Sequence, residues 1–306
     1  MKGLMGRKTH VVHLTHNDLD AVGGDAIHRM HHGKVFTIWS SVGKFPHLFG
    51  VIAGAPGKGD LLSISDLGYH TGMETKIKKA RSNGWRIEWR DHHRWTDEER
   101  DLVAGMVDLL EIDTSVCATA IVARDLMPGD AQAREIAKVV CDYDLWKHED
   151  PRSKVLGQVC TRKKNREYVR DRLVEGKITD AKIEEEYADI SRERDEAIRM
   201  SIKHAKVYTG RYTVAFAPLY GYPSETAHAI RDALNTDIEV IVSSNGRFSI
   251  RSVPPVSHLI ARKFGGGGHP PAAGGNFDFN LPDRIFFFLL KRTKHYRKLV
   301  AIADEF

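Results

Sequence analysis

Three cysteines in 306 residues are too few for a disulfide framework, and Cys117, Cys141 and Cys160 show no C-x-x-C spacing. The expectation is three reduced, mostly buried thiols and no zinc–thiolate site. No apolar run approaches the roughly 20 residues needed to cross a bilayer. The opening MKGLMGRKTHVVHL is basic but holds only a short apolar run, which reads as the approach to a strand and not as an export signal. A cytoplasmic protein without a membrane partner is expected. Long repeats are absent, and so is low complexity apart from one glycine run. No serine or cysteine stands out as a nucleophile, so covalent catalysis has no obvious carrier.

What is present suits an ordinary globular chain: 42% hydrophobic and 28% charged residues, with a net charge of +5 that points only mildly to an anionic partner. The length favours two domains. Histidine is plentiful, with sixteen in all, but any chemistry must come from their spacing.

A βα rhythm opens the chain. Strands are expected over 11–14, 34–40, 60–65 and 85–89, and helices from about Ala21, over 75–83, 114–126 and 131–144. The charge-dense stretch 177–206 has helical period and suits a connector. Strand 212–217, helix 224–234 with Ser224 as N-cap, and a hairpin of 239–243 with 247–253 across Ser244-Asn-Gly246 follow. A helix over 255–264 runs into GGGGHPPAAGG, and one C-terminal helix covers 281–302. The fold class is therefore α/β: a mainly parallel sheet flanked by helices, then a smaller α/β domain across a cleft.

Three early strands end in acidic or histidine residues, and the carboxyl ends of parallel strands are where such sheets bind ligands. In HNDLD, an extended backbone would turn His16, Asp18 and Asp20 to one face. That cluster of like charge calls for a cation, and its imidazole–carboxylate chemistry suits Mn²⁺ or Mg²⁺. Asp66 closes the third strand. Asp91, His92 and His93 close the fourth, where a turn allows one histidine to bind metal and the other to meet substrate. Asp142 and Asp144 in CDYDLW form a fourth cluster.

These four clusters resemble the motifs of the DHH phosphoesterases, and GGGGHPPAAG at 265–274 resembles the signature of the DHHA1 domain that follows the DHH domain in many members. The HNDLD spacing is most similar to the oligoribonuclease (nano-RNase) branch; many relatives place the first histidine four residues before the DxD. The resemblance implies a DHH domain over 1–176, a helical connector over 177–206 and a DHHA1 domain over 207–306. It implies one cation on His16, Asp18 and Asp66, and a second on Asp20, Asp66, His92 and Asp144, with Asp142 as competitor for the last place. His93 would contact the scissile phosphate, and Asp91 would orient His92. Two cations, Mn²⁺ ahead of Mg²⁺, would activate a bridging water. Ser249, Arg251, Ser252, Gly266, Gly267, Gly268 and His269 would hold the substrate, with Arg251 as a planar donor fork for phosphate.

The implied activity is hydrolysis of short oligoribonucleotides or small nucleotides, with homodimerisation left open. Within the same chemistry the rivals are a nucleotide phosphatase, a cyclic-dinucleotide phosphodiesterase and an exopolyphosphatase. From another class, the rival is a catalytically silent nucleic-acid-binding subunit.

Overall fold

The computed structural model describes residues 2–306, which form two compact units divided between Ala188 and Asp189. The first unit runs α1 Lys2–Met5, β1 Val11–Thr15, α2 Leu19–His32, β2 Phe36–Trp39, α3 Phe45–Ala53, β3 Leu61–Ser65, α4 Met73–Ser82, β4 Arg86–Asp91, α5 Asp97–Ala104 and β5 Leu109–Ile112. Helices α6 Ala118–Leu126, α7 Ala131–Asp144, α8 Pro151–Thr161 and α9 Lys163–Val174 follow, and α10 Ala181–Lys203 runs across the division between the units. The five strands form one parallel sheet in the order β2-β1-β3-β4-β5.

Register sorts the side chains into two faces. Ile38, Leu14, Ile64, Trp89 and Leu110 lie in one row across the whole sheet. That face joins Phe45, Phe49, Met73 and Ile77 in the main core. The opposite face carries His13, Ser63, Ser65 and Arg90, all buried. There His13 bridges Asp25 of α2 and Ser65, each at 2.8 Å, and His28 of α2 reaches Ser63 at 2.8 Å. Alternating strands such as LLSIS would normally expose their polar side. Here helix α2 covers it, and the buried groups find partners in one another, as buried polar groups must. A one-residue slip would strand these groups among apolar neighbours, so the polar face also fixes the register.

Close approach explains one glycine. A Cβ on Gly23 of α2 would sit 2.7 Å from the Thr119 hydroxyl and 2.8 Å from Val140 Cγ2, so glycine lets α2 pack tightly on α6 and α7.

The second unit contains β6 Lys206–Thr209, β7 Thr213–Pro218, α11 Pro223–Leu234, β8 Ile238–Val242, β9 Arg247–Ser252, α12 Ser257–Arg262, β10 Gly267–His269, β11 Ala272–Asn276, α13 Leu281–Leu290 and α14 His295–Ala303. Its mixed sheet has the order β10-β11-β9-β8-β7-β6. The expected β8–β9 hairpin is there. Phe216 of β7 stacks on Tyr296 of α14 with ring centroids 4.1 Å apart, joining the two sides of the core.

Several expectations are corrected. Helix α11 begins behind Tyr222, with Pro223 at its first turn, so Ser224 is not the N-cap. The single C-terminal helix is two helices, because Lys291 takes a left-handed φ of 52° and ends α13. The glycine run enters the sheet, as Gly267–His269 pairs with β11. Cys117 and Cys141 are joined in a disulfide, with Cα atoms 5.2 Å apart, and only Cys160 is a free thiol, so the expectation of three reduced cysteines does not hold. The packing of α6 on α7 makes that pair, which a 24-residue separation hides in the sequence. Among the described residues, no helix is long and apolar enough to cross a membrane.

Candidate metal centre

The first strand hands its chain to the site in three steps. β1 ends at Thr15, His16 follows, and Asp18 caps α2 by accepting the Ala21 N–H at 3.1 Å. The extended alternation expected for His16, Asp18 and Asp20 therefore stops at Asp18. Asp20 already lies in the first helical turn and joins a different ligand group from His16 and Asp18. His16 Nδ1 lies 2.6 Å from Asp18 Oδ2 and 3.6 Å from Asp66 Oδ2.

Asp20 is buried and anchored from a distance of a hundred residues. Its two carboxylate oxygens accept the Ala118 and Thr119 N–H groups at 2.8 and 2.7 Å, the free donors at the N-terminus of α6. Those donors and the helix dipole favour a carboxylate. The sequence gives no local sign of this support, since its donors are backbone groups.

Asp66 follows β3 with φ of 55°, a left-handed conformation that few non-glycine residues adopt and that often marks a functional site. It is buried, and its Oδ1 lies 3.4 Å from His92 Nε2. His92 Nε2 also lies 3.8 Å from Asp20 Oδ2, while its Nδ1 lies 3.6 Å from Asp144 Oδ2. The groups that could ligate one ion are accordingly His16 with Asp18 and Asp66, and Asp20 with His92 and Asp144; Asp66, His92 and His93 form a third, overlapping set.

Asp91 holds a different histidine from the one expected. Its Oδ1 accepts from His93 Nδ1 at 2.8 Å and its Oδ2 from Trp95 Nε1 at 2.8 Å, so it orients His93 and not His92. Of the fourth cluster, only Asp144 faces the site. Asp142 points the other way and accepts the Glu149 and Asp150 N–H groups at 2.9 and 3.2 Å, together with the Ser153 hydroxyl.

The donor set fits divalent cations on two counts. It is made of carboxylates and imidazoles without a thiolate. In addition, the buried Oδ2 atoms of Asp66 and Asp144 have no hydrogen-bond partner in the protein, which is costly unless a cation meets them. Protonation tells the same story. The bond to Asp18, with Asp66 close by, pushes His16 up to about 10. Burial works against a charged His92, but the closeness of Asp66 and the charges of Asp20 and Asp144 prevail and push it up to about 9. Burial, with the neighbouring acids, pushes Asp144 up to about 6 and Asp20 well above the usual carboxylate range.

The shifts of His16 and His92 favour protons at neutral pH that a metal must displace. Mn²⁺ affinity should rise with pH, first as Asp144 loses its proton near pH 6 and then as His92 and His16 lose theirs above neutrality. Calorimetric Mn²⁺ titrations at pH 7 in buffers of differing ionisation enthalpy should register protons released on binding. Zero release would contradict the assignment of His16 and His92 as ligands.

In the second unit, register places His269, Ala272 and Arg251 side by side on three strands, so Arg251 and His269 share one face of the sheet. Arg251 reaches Ser249 Oγ at 3.0 Å and Ser224 Oγ at 2.9 Å, and Ser249 sits on the same face by alternation. Ser252 does not: it is buried, donating to Pro254 O at 2.6 Å, with the Ser257 hydroxyl at 2.7 Å. It leaves the substrate-facing set. The glycines have a packing reason of their own. A Cβ on Gly266 would lie 1.9 Å from Gly274 O, and one on Gly268 would lie 2.6 Å from Ala273 Cα. Ser224 is the polar neighbour of Arg251 that sequence alone did not connect to it.

No family model matches the sequence, and no curated protein matches it. Solved structures do match its fold. The pGpG-specific phosphodiesterase PggH of Vibrio cholerae aligns with a TM-score of 0.57 at 12% identity, over 92% of this chain and 98% of its own. RecJ of Thermus thermophilus, solved with Mn²⁺, aligns with a TM-score of 0.52 at 14% identity; all of this chain matches 53% of RecJ. An exopolyphosphatase-related protein of Bacteroides fragilis aligns with a TM-score of 0.50 at 13% identity, over 99% of this chain and 95% of its own. The chain has the α/β fold of these proteins.

Proposed function

We propose that this chain is a two-cation phosphodiesterase of the oligoribonuclease branch, cleaving short oligoribonucleotides or small nucleotides such as linear dinucleotides. One observation carries the reading: two ligand triads, His16–Asp18–Asp66 and Asp20–His92–Asp144, adjoin where Asp66 Oδ1 lies 3.4 Å from His92 Nε2, at the carboxyl ends of adjacent parallel strands. Fold neighbours that include a pGpG phosphodiesterase and a Mn²⁺-bound RecJ support it. Mn²⁺ is the preferred metal, with Mg²⁺ as substitute. Bound cations supply a nucleophile at neutral pH and positive charge against the phosphate oxygens.

The protein's own groups do the rest. His93 is half exposed, and its bond to Asp91 raises its pKa, which favours the protonated ring as a donor to a phosphate oxygen. Asp91 in turn fixes the imidazole's orientation. On the second unit, Arg251, Ser249 and His269 hold a terminal phosphate or nucleotide; Ser224 and Ser249 orient the guanidinium for it.

The test is turnover of a panel: a dinucleotide, five-mer RNA, five-mer DNA, a cyclic dinucleotide and tripolyphosphate. Protein stripped with chelator should be inactive on all of them. Added Mn²⁺ should restore cleavage of the dinucleotide and the RNA best. Full activity in metal-free protein would end the two-cation reading, while turnover of tripolyphosphate alone would favour the exopolyphosphatase alternative that the Bacteroides neighbour suggests.

A further inference from the structure

The turn that follows α7 is built around one side chain. The Asp142 carboxylate accepts from the Glu149 and Asp150 N–H groups and the Ser153 hydroxyl, and the Asp142 carbonyl accepts the Lys147 N–H at 2.9 Å. This ties residues 147–153 to the end of the helix. Within the turn, Trp146 and His148 both take left-handed backbone conformations, each with φ of 55°. Bulky residues adopt that conformation only when their surroundings impose it.

The consequence is an indole presented to solvent. Trp146 is 79% exposed, whereas Trp85, Trp89 and Trp95 are buried in the core. Its ring is not left to wander, because His148 meets it edge-on at 4.9 Å and 82°. Trp146 also stands two residues beyond Asp144, so their Cα atoms are at most about 7 Å apart. The backbone that carries this flat, open aromatic is therefore within a nucleotide's length of Asp144 in the candidate metal centre. Lys147 beside it is exposed and cationic, which suits a sugar–phosphate backbone.

We propose that Trp146 is the base-stacking platform of the substrate site, taking a nucleobase next to the scissile phosphate. The inference rests on the phosphodiesterase reading and narrows its substrate class to base-bearing phosphodiesters. Every base has a π-face, so stacking accepts all four bases, yet it gives nothing to a polyphosphate chain.

The experiment compares wild type, Trp146→Phe and Trp146→Ala, all loaded with Mn²⁺. Two probes of equal charge are titrated calorimetrically: a phosphorothioate-linked ApA dinucleotide and the same molecule lacking its bases. For ApA, Trp146→Ala should bind on the order of ten-fold more weakly, and Trp146→Phe should recover most of that loss. The base-free probe should bind all three proteins alike, and Mn²⁺ affinity should not change. ApA should quench tryptophan emission in wild type and much less in Trp146→Phe. Equal ApA affinity in wild type and Trp146→Ala overturns the proposal and leaves the metal assignment standing. Equal weakening of both probes overturns it too, since the loss would then not be a base contact. Wild-type protein that cleaves tripolyphosphate but binds no ApA overturns the platform and the substrate reading together, with the cation chemistry intact.

Discussion

Asp66→Asn should abolish turnover on every substrate while leaving the protein folded. Asp66 is the one carboxylate shared between the ligand groups, with Oδ2 toward His16 at 3.6 Å and Oδ1 toward His92 at 3.4 Å. The amide keeps the shape but loses the negative charge and turns one acceptor into a donor. On the proposed two-cation reading, each cation then loses a ligand at once. Charge stabilisation by bound metal is worth several kcal/mol, so the rate should fall by roughly three powers of ten or more. Manganese content after dialysis should fall in step. Folding should survive, because burial already raises the Asp66 carboxyl and disfavours its charge, and the amide removes that cost. A variant with normal manganese content and a rate within ten-fold of wild type would remove Asp66 from the centre.

The second large effect separates two acids only two residues apart. Asp144→Ala should eliminate turnover and Mn²⁺ binding at the His92 side, with little change in melting temperature. Asp142→Ala should do the reverse. Its carboxylate accepts two backbone N–H groups and the Ser153 hydroxyl. Leaving such donors unpaired costs about 1–3 kcal/mol for each that stays dry, which should lower the melting temperature by roughly 5–15 °C. Mn²⁺ should still bind, and ApA affinity should fall with the loss of the turn that carries Trp146.

Acid should reproduce part of the Asp142→Ala effect. Burial opposes the Asp142 charge, but the bonds from Ser153, Glu149 and Asp150 outweigh it and hold the pKa below its usual value. A depressed carboxyl lends stability above its unfolded pKa of about 4 and loses it as pH falls through the folded value. Wild type should therefore lose its advantage over Asp142→Ala below about pH 4. A metal-free Asp142→Ala protein beside a metal-replete Asp144→Ala would show the two roles to be exchanged.

The strand periodicity and residue chemistry of the first 93 residues were enough to place acids and histidines on the carboxyl ends of β1, β3 and β4. A period-2 pattern fixes where a strand ends, and Asp or His is then read directly. The same legibility held for the β8–β9 hairpin, where Asn245-Gly246 marks the turn. β5 escaped notice because Leu109–Ile112 is a four-residue edge strand, half-buried throughout, with no alternation to read.

What the sequence by itself determined is the set of residue types at strand ends and the glycine-rich stretch before β11. Local period and chemistry are both properties of neighbours along the chain. Tertiary structure alone decided which face each residue meets. On helix α7, residues two apart point roughly 200° from each other, so packing sends Asp144 to His92 and Asp142 to the Ser153 turn. The N-terminus of α6 reaches Asp20 across about a hundred residues, and Cys117 finds Cys141 by the same packing. Asp91 pairs with His93 because a strand end turns, and no spacing rule says which of two adjacent imidazoles turns back. Partners distant in sequence are chosen by how helices lie on the sheet, and that choice is made by the whole core at once.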